Sequence, residues 1–298
     1  MTDKTVLLPY EAYELSQIRP TIFIDTRDPA EYAVSHIPGA VNIRDIFSML
    51  AKSTPEGLLE LKDHFSELFG NAGFSGNEYA IIYEDAMSTG FGQSCRGYYL
   101  MKYLGYPHVY VLHGGFRLWR KIGLPLNALP VEPTPVKFPL SIDNSIMVTT
   151  AEMKAALNDP NIVLLDVRDY DEWTGESSSP YGKDFCPRKG RLPGAVWIEW
   201  YRMMKETPVG IMFRSTEEIL EVCAEVGLTP EKTVYVYCFK GCRAANTLVA
   251  LKEAGFKNVR NYFASWNEWS RDESLPIETG TPDKSRMARY VRHECESC

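Results

Sequence analysis

The chain has 298 residues, of which 45% are hydrophobic, 24% charged and 12% aromatic, a composition typical of globular proteins and unlike that of disordered or fibrous ones. Its length predicts two domains with a boundary near the middle. The formal charge of -7 provides no general positive field, so we expect no nucleic acid and no membrane as partner, and any anion must be bound locally.

The cysteine content and the N-terminal segment indicate the cellular compartment. Seven cysteines, an odd number, are spread along the chain without the dense spacing of a secreted disulfide scaffold. The N-terminal residues show no signal-peptide pattern, and no stretch approaches the roughly 18 apolar residues that a membrane span needs. We therefore expect a cytoplasmic protein with mostly reduced thiols. For the oligomeric state, both a monomer and a homodimer are compatible with the sequence.

A repeat divides the chain into two related halves. The pattern Asp-x-Arg-x-x-x-Glu-aromatic follows a predicted strand at Asp25 and recurs at Asp166. Further matches follow in the same order, namely residues 36–41 with 191–196 and Trp119 with Trp269. Features that both halves share are expected to serve the fold, whereas a feature of one half alone is a candidate for function.

Each half alternates short apolar runs with helical stretches, as residues 234–237 followed by 244–254 illustrate. This alternation predicts two α/β domains, each a mainly parallel sheet flanked by helices. Five prolines between Pro125 and Pro139 predict an extended linker. The predicted division is a first domain at 1–125, a linker at 126–140, a second domain at 141–280 and a tail at 281–298.

The repeated pattern places an arginine four residues before a glutamate in each half. Arg27 and Glu31, like Arg168 and Glu172, would face each other on the first turn of a helix, so we predict an ion pair in each half. Because the pair recurs, it is expected to stabilise the fold. Asp166 and Arg168 are kept as candidates only for a supporting position behind the functional site.

The largest difference between the halves follows two equivalent strands. The second half continues with Cys238 and then Phe-Lys-Gly-Cys-Arg, whereas the first half has no cysteine directly after its strand. A loop that enters a helix directs backbone N–H groups and the positive end of the helix dipole at one point. With Lys240 and Arg243 nearby, Cys238 is predicted to be a thiolate nucleophile. The alternative is a small buried hydrophobe at the end of a strand.

With these features the chain resembles the tandem-domain rhodanese family, whose members are thiosulfate or 3-mercaptopyruvate sulfurtransferases. The resemblance covers about residues 7–278 and includes the segments His-Ile-Pro-Gly-Ala from His36, Gly-Gly-Phe-Arg-Leu-Trp from Gly114 and Ser-Trp-Asn-Glu-Trp from Ser265. It implies two rhodanese-like domains, the first without catalytic function, and a persulfide on Cys238. The loop residues that it assigns to the site are Phe239, Lys240, Gly241, Cys242 and Arg243.

The resemblance also implies the reactants. A small anionic sulfur donor would transfer its sulfane sulfur to Cys238, and a thiol, a protein thiol or cyanide would accept it. Lys240 and Arg243 would bind the negative groups of the donor. No metal and no organic cofactor is expected.

Two alternative reactions can be compared on the loop. Cysteine phosphatases of related architecture place one more residue between Cys and Arg than the four that separate Cys238 from Arg243, which argues against phosphatase activity. Two fixed positive charges favour thiosulfate, a compact dianion, as donor. The alternative donor is 3-mercaptopyruvate, because the resemblance places Phe239 where thiosulfate enzymes often carry arginine, and Glu172 where animal-type tandem enzymes carry a substrate-binding arginine.

An insertion, residues 174–190, occurs only in the second half and ends in a cationic cluster. We predict that Arg188 or Arg191 contributes to the anion site, although a solvated basic loop explains the cluster equally well. Trp266 is a candidate for the wall of the cleft. Trp269 is expected in the core, because Trp119 matches it in the first half.

Further thiols support a second alternative function, a persulfide carrier or redox-sensing sulfur-relay protein. Cys242 lies four residues after Cys238 and would resolve a persulfide if it faced the same pocket, but filling a small loop position is the simpler interpretation. Cys295 and Cys298 would exchange sulfur with a partner, or bind a metal with His293, although one such pair provides too few ligands for zinc.

Overall fold

The computed structural model describes residues 4–183 and 185–291, which form two α/β halves. The elements of the first half are, in chain order, β1 (Val6–Leu7), α1 (Pro9–Ile18), β2 (Thr21–Asp25), α2 (Pro29–Val34), β3 (Val41–Asn42), α3 (Asp45–Ser48), α4 (Pro55–Asn71), β4 (Tyr79–Tyr83), α5 (Gln93–Tyr103), β5 (Val109–Leu112) and α6 (Gly115–Lys121). The segment that follows, residues 122–149, contains no helix and no strand beyond isolated bridges.

The second half repeats the alternation of strands and helices and adds a hairpin. Its elements are α7 (Thr150–Ala156), β6 (Ile162–Asp166), α8 (Tyr170–Thr174), β7 (Val196–Trp197), β8 (Met204–Thr207), β9 (Gly210–Phe213), α9 (Thr216–Ala224), β10 (Thr233–Tyr237), α10 (Cys242–Glu253), β11 (Asn258–Asn261) and α11 (Ser265–Trp269). Short 3-10 helices lie at Trp200–Met203 and Lys284–Arg286.

Each half contains one parallel sheet. The strand orders are β1-β5-β4-β2-β3 and β11-β10-β6-β7, so four strands occupy equivalent positions in the two sheets. The predicted fold class, two α/β domains with mainly parallel sheets, is confirmed. The antiparallel pair β8 and β9 was not predicted, because the polar residues Lys205, Glu206 and Thr207 of β8 show no strand pattern.

The central strands are buried on both faces, which explains their continuous apolar sequences. Strand β10 pairs with β6 on one side and β11 on the other, and its last four residues are all buried. In parallel α/β sheets, ligands bind beyond the carboxyl ends of the strands. The residues directly after β10 therefore stand where a site is expected.

The predicted ion pairs between arginine and glutamate four residues apart are not formed. Arg27 Nη2 lies 2.6 Å from an oxygen of Asp25, and Arg168 Nη2 lies 2.6 Å from an oxygen of Asp166. In each half the glutamate instead caps its helix, where its side chain accepts from the backbone N–H of the N-cap residue. The buried arginine consequently turns back to the aspartate at the end of its own strand.

The two halves share one main hydrophobic core. A continuous cluster of buried side chains extends from Val6 to Ala288 and includes members of both sheets, while a smaller cluster lies in each half. Polar contacts also join the halves: the backbone N–H and the hydroxyl of Ser53 donate to Glu268 at 2.8 and 2.6 Å. No helix in the described part of the chain has the length and apolar character to cross a lipid bilayer.

Candidate active site

Cys238 begins the loop between β10 and α10. The loop turns at Gly241, whose φ of +85° favours glycine and where a Cβ would lie 2.7 Å from the carbonyl oxygen of Phe263. Gly241 is also the N-cap residue of α10, and its backbone N–H donates to Cys238 Sγ at 3.1 Å. The sulfur thus lies in front of a helix N-terminus, where backbone dipoles favour a negative charge.

The segment before α11 fixes this loop from the outside. The backbone N–H of Cys238 donates to Ser265 Oγ at 3.1 Å, and its carbonyl accepts from the N–H of Trp266 at 3.1 Å. Ser265 has a φ of 56°, a left-handed conformation that residues other than glycine rarely adopt. Its hydroxyl donates to the carbonyl of Tyr262 at 2.7 Å. Sequence reasoning recognised this segment but not the positioning role of Ser265.

Cys238 opens onto a cavity of about 150 Å³. The residue is only 1% exposed, so a reactant must enter the cavity to reach the sulfur. The walls combine the first half, the insertion and the loop, and most of them are apolar or aromatic. The lining residues are Phe47, Phe91, Pro180, Tyr181, Cys238, Phe239, Lys240, Cys242 and Arg243.

Lys240 supplies positive charge to this cavity. Its Nζ lies 3.7 Å from the ring centre of Phe47 and 5.3 Å from that of Tyr181, and no carboxylate among the described residues forms an ion pair with it. Burial lowers the pKa of the ammonium to about 8. Lys240 is therefore mostly charged at neutral pH and loses its charge in mildly alkaline solution.

Arg243, the second loop cation, is already paired. Its Nη1 lies 2.6 Å from Glu172 and 2.8 Å from Asp169, and its Nη2 donates to Glu172 at 3.1 Å. Burial alone would lower the pKa of Arg243, but the two carboxylates raise it well above its ordinary value. Arg243 thus contributes little net positive charge to a donor, contrary to the expectation that both loop cations are free. The sequence could not show this, because Glu172 is 71 positions away.

The same carboxylates form the one group of potential metal ligands found in the described part of the chain. Oxygen atoms of Asp169, Asp171 and Glu172 lie within 4.8 Å of one another. Asp169 and Glu172 pair with Arg243, so the guanidinium compensates part of the negative charge of this cluster. Two of the three carboxylates are thus already held by an ion pair within the chain.

Arg188 and Arg191 do not reach the cavity. Arg188 donates to backbone carbonyls around the end of α11, including those of Ser270 at 2.9 Å and Leu275 at 2.8 Å. Arg191 is 1% exposed and pairs with Glu278 at 2.8 Å. The prediction that one of them joins the anion site is therefore wrong. Arg188 of the insertion and Arg191 directly after it bind carbonyls and a carboxylate of residues 270–278 instead.

The other candidates lie behind the site. Arg168, paired with Asp166, stacks 4.5 Å from the ring of Trp266, which is fully buried and does not line the cavity. Trp269 lies in the core, as predicted. His293, Cys295 and Cys298 fall outside the described residues.

Glu84 occupies in the first half the position that Cys238 has in the second, directly after the equivalent strand. Burial raises its pKa to about 8, although the hydroxyl of Ser94, which donates to Oε1 at 2.7 Å, opposes this rise. Oε2 is buried without a hydrogen-bond partner in the described structure. The first half thus has a largely protonated carboxyl where the second half has a thiol. The repeat in the sequence shows this difference, but only the structure shows that the carboxyl is buried.

A family profile and curated relatives with similar sequences point to the same protein family. The profile of the Rhodanese-like domain matches residues 8–122 and 149–272. A protein named putative thiosulfate sulfurtransferase from Mycolicibacterium smegmatis is 32% identical over 88% of this chain and 92% of its own length. A thiosulfate sulfurtransferase from Pseudomonas aeruginosa is 27% identical over 86% and 90%, respectively.

Solved structures with a similar fold include complexes of ergothioneine biosynthesis proteins. The anaerobic ergothioneine biosynthesis enzyme from Chlorobium limicola, in complex with trimethyl histidine, superposes with a TM-score of 0.79 at 25% identity over 93% of this chain and 70% of the other. A structure of EanB with ergothioneine covalently linked to a cysteine persulfide matches with the same TM-score, identity and coverage.

Proposed function

The chain belongs to the Rhodanese-like domain family and is a sulfurtransferase, and on that premise we propose that thiosulfate is its donor and that Cys238 carries the sulfur as a persulfide. One observation carries the proposal: Cys238 Sγ accepts from the N–H of Gly241 and shares its cavity with the ammonium of Lys240. The relatives named thiosulfate sulfurtransferase support the choice of donor.

In the first step, the Cys238 thiolate attacks the outer sulfur of thiosulfate. A new S–S bond forms at Sγ, the S–S bond of thiosulfate breaks, and its electron pair leaves with sulfite. Lys240 attracts the dianion into the cavity, and the N–H of Gly241 stabilises the negative charge on the sulfur.

In the second step, an acceptor thiol, or cyanide in an assay, attacks the outer sulfur of the persulfide. The bond between that sulfur and Sγ breaks, and Cys238 is released as a thiolate. Throughout this cycle Arg243 acts as a positioning residue, because its contacts with Glu172 and Asp169 hold the start of α10 in place. Phe239, which packs 5.3 Å from Tyr181, forms part of the cavity wall.

A second donor, 3-mercaptopyruvate, is favoured by one observation. The pairing of Arg243 leaves Lys240 as the loop cation without a carboxylate partner in the described structure, and one charge suits a monoanion as well as a dianion. The aromatic walls of the cavity also suit an organic donor better than they suit an inorganic one.

The test is to measure sulfite release from thiosulfate and pyruvate release from 3-mercaptopyruvate, each with cyanide as acceptor. We expect a higher kcat/KM with thiosulfate and no turnover of either donor by Cys238→Ser. A preference for 3-mercaptopyruvate would overturn the proposed donor, and turnover by Cys238→Ser would overturn the proposed nucleophile. Cys223→Ser, which changes a buried thiol of α9, is the matched control and should retain activity.

The setting of the reaction is part of the same proposal. Five cysteines in the described structure are free, which fits a reducing compartment such as the cytoplasm. We retain a small anionic donor and a thiol or protein-thiol acceptor as reactants, and a monomer or homodimer as the active form.

A further inference from the structure

A second thiol opens onto the cavity of Cys238. Cys242 is the first residue of α10, is 3% exposed and lines the same cavity. Tyr181 of the insertion lines that cavity as well. The two sulfurs therefore face one enclosed space.

A buried guanidinium of the first half contacts Cys242. Arg96 of α5 is fully buried, and its Nη1 donates to Cys242 Sγ at 3.2 Å. Its other contacts are the carbonyls of Phe47 and Met49 and the ring of Phe263, 4.6 Å away. Among residues 4–183 and 185–291 no carboxylate pairs with Arg96, and its buried Nε has no hydrogen-bond partner.

A buried guanidinium without a carboxylate is costly unless another anion compensates its charge. Arginine can only donate hydrogen bonds, so the sulfur at 3.2 Å is one of its three acceptors and the only one that can carry a negative charge. A cysteine that merely filled space would need no such cation. The Cys223 thiol provides the contrast: burial raises its pKa to about 12, and no charged group acts on it.

We propose, on the basis of the Cys238 persulfide in the proposed function, that Cys242 is a second sulfur-carrying thiol. The Cys242 thiolate attacks the outer sulfur of the Cys238 persulfide, a new S–S bond forms at Cys242, and the bond to Cys238 Sγ breaks. The electron pair stays on Cys238 as a thiolate, and this thiolate takes the proton of the outer sulfur, so that the terminal sulfur on Cys242 becomes an anion. No oxidant, reductant or further reactant is required.

The transfer moves the sulfur from the loop towards the other half of the molecule. On Cys242 the persulfide lies beside Arg96, whose Nη1 donates to Cys242 Sγ and whose positive charge stabilises the terminal sulfur as an anion. Cys238 is then free to accept a second sulfur. The protein thereby stores sulfane sulfur on two residues of one cavity.

The sequence allows a direct test, because trypsin cleaves after Lys240 and so separates the two thiols onto different peptides. The full-length protein is mixed with limiting thiosulfate without an acceptor, alkylated before unfolding so that sulfur cannot move afterwards, digested and weighed by mass spectrometry. We expect the mass of one added sulfur on both peptides, with the Cys242 share growing as the Cys238 share falls.

Variants separate the outcomes. With Cys238→Ser neither peptide should gain sulfur, and with Cys242→Ser only the Cys238 peptide should. Arg96→Gln should lower the ratio of sulfur on Cys242 to that on Cys238 about tenfold, the effect of one charge-assisted hydrogen bond, and Arg96→Lys should restore part of it. Cys223→Ser, distant from the cavity, should leave this ratio unchanged.

Three results would overturn the relay. Sulfur confined to Cys238 in the wild-type protein leaves the proposed function intact but removes Cys242 from it. Sulfur on Cys242 in Cys238→Ser makes Cys242 an independent acceptor. Two peptides linked by a disulfide, with sulfide released, show attack on the inner sulfur instead. Absence of sulfur from both wild-type peptides contradicts the proposed function itself.

Discussion

Lys240 is the residue whose protonation state is expected to set the alkaline limit of the reaction. Because burial lowers its pKa to about 8, the cavity loses positive charge as the pH rises through that value. We expect the second-order rate constant for the transfer of sulfur from thiosulfate to the enzyme to fall above about pH 8. The measurement is single-turnover sulfite release without cyanide, so that titration of the acceptor does not contribute.

Two variants of Lys240 complete this measurement. Lys240→Arg keeps its charge at all of these pH values, so the alkaline decline should move to higher pH. Lys240→Gln should load about tenfold or more slowly at pH 7 and show no decline near pH 8. A decline that stays in place in both variants would assign it to another group.

Glu84 makes the stability of the protein depend on pH. In the folded state it keeps its proton up to about pH 8, because burial raises its pKa, whereas in the unfolded chain it loses the proton near pH 4.5. Its contribution to stability is therefore fully present below pH 4.5 and is lost as the pH rises through 8. Glu84→Gln, which stays neutral, should become more stable than the wild type by a margin that grows from pH 5 to 8.

Urea unfolding at several pH values between 5 and 9 measures this margin. Glu278→Gln is the matched control, because hydrogen bonds from Arg286 and Arg191 hold the pKa of Glu278 at about 2 and it stays ionised throughout the range. Its difference from the wild type should not change with pH. A constant difference for Glu84→Gln would show that Glu84 is ionised in the folded protein.

For single residues, a feature could be predicted when the residues that form it are adjacent in the sequence. The place of Cys238 in front of a helix N-terminus could be predicted, because a strand, a short loop and a helix follow one another directly in the sequence. The ion pair of Arg243 could not be predicted, because only the packing of α8 against the loop brings its partner Glu172 close to it. Charge near a cysteine can be read from sequence, whereas its neutralisation depends on tertiary contacts.

Among the elements, helices α5 and α10 meet where the two halves join. Gly92, the N-cap residue of α5, has a φ of +78°, and a Cβ there would lie 2.8 Å from Asn246 Cβ and 2.9 Å from the carbonyl oxygen of Cys242. Neither atom is the end of a flexible side chain. The close approach of the helices therefore depends on a glycine at this position.

Gly92→Ala should lower both stability and activity, because the methyl group pushes α5 away from the helix that begins at Cys242. Gly123→Ala is the matched control, since Gly123 has a φ of +77° but nothing within 4 Å of its Cβ position. Both variants should lose about 1–2 kcal/mol to the left-handed backbone conformation, and only Gly92→Ala should lose more and show a lower kcat/KM. Equal effects in urea unfolding and turnover assays would contradict this packing role.

The predicted elements were most accurate where burial is continuous. The strand expected at 234–237 and the helix expected at 244–254 correspond to β10 and α10, with boundaries shifted by at most two residues. The hairpin of β8 and β9 escaped prediction because its strands are only partly buried and pair with each other rather than with a sheet. Hydrophobic periodicity shows an element only when one of its faces is consistently buried.

For the whole molecule, the shared core predicts cooperative unfolding of the two halves. The main cluster contains side chains of both sheets, and Ser53 of the first half binds Glu268 of the second. We expect one thermal transition, with equal calorimetric and van't Hoff enthalpies. Tryptophan fluorescence, which reports mainly on the second half because five of the six tryptophans lie there, should have the same midpoint as far-ultraviolet circular dichroism.

Two separate transitions would show that the interface is weaker than its burial indicates. The repeat in the sequence correctly predicted two α/β domains, but not the core that joins them. Residues of an interface resemble those of a domain interior, so composition alone cannot assign a buried side chain to one partner or the other. The limits of the linker, residues 126 and 140, therefore remain predictions.

The first half carries Glu84 where the second half carries Cys238, yet its residues contribute directly to the candidate site. Phe47 and Phe91 form walls of the cavity, and Arg96 touches Cys242. A mutation that is neutral for the fold of this half can still alter which molecules reach Cys238. Both halves therefore contribute to the choice of reactants, and we expect a chimaera with the first half of a relative to differ in that choice.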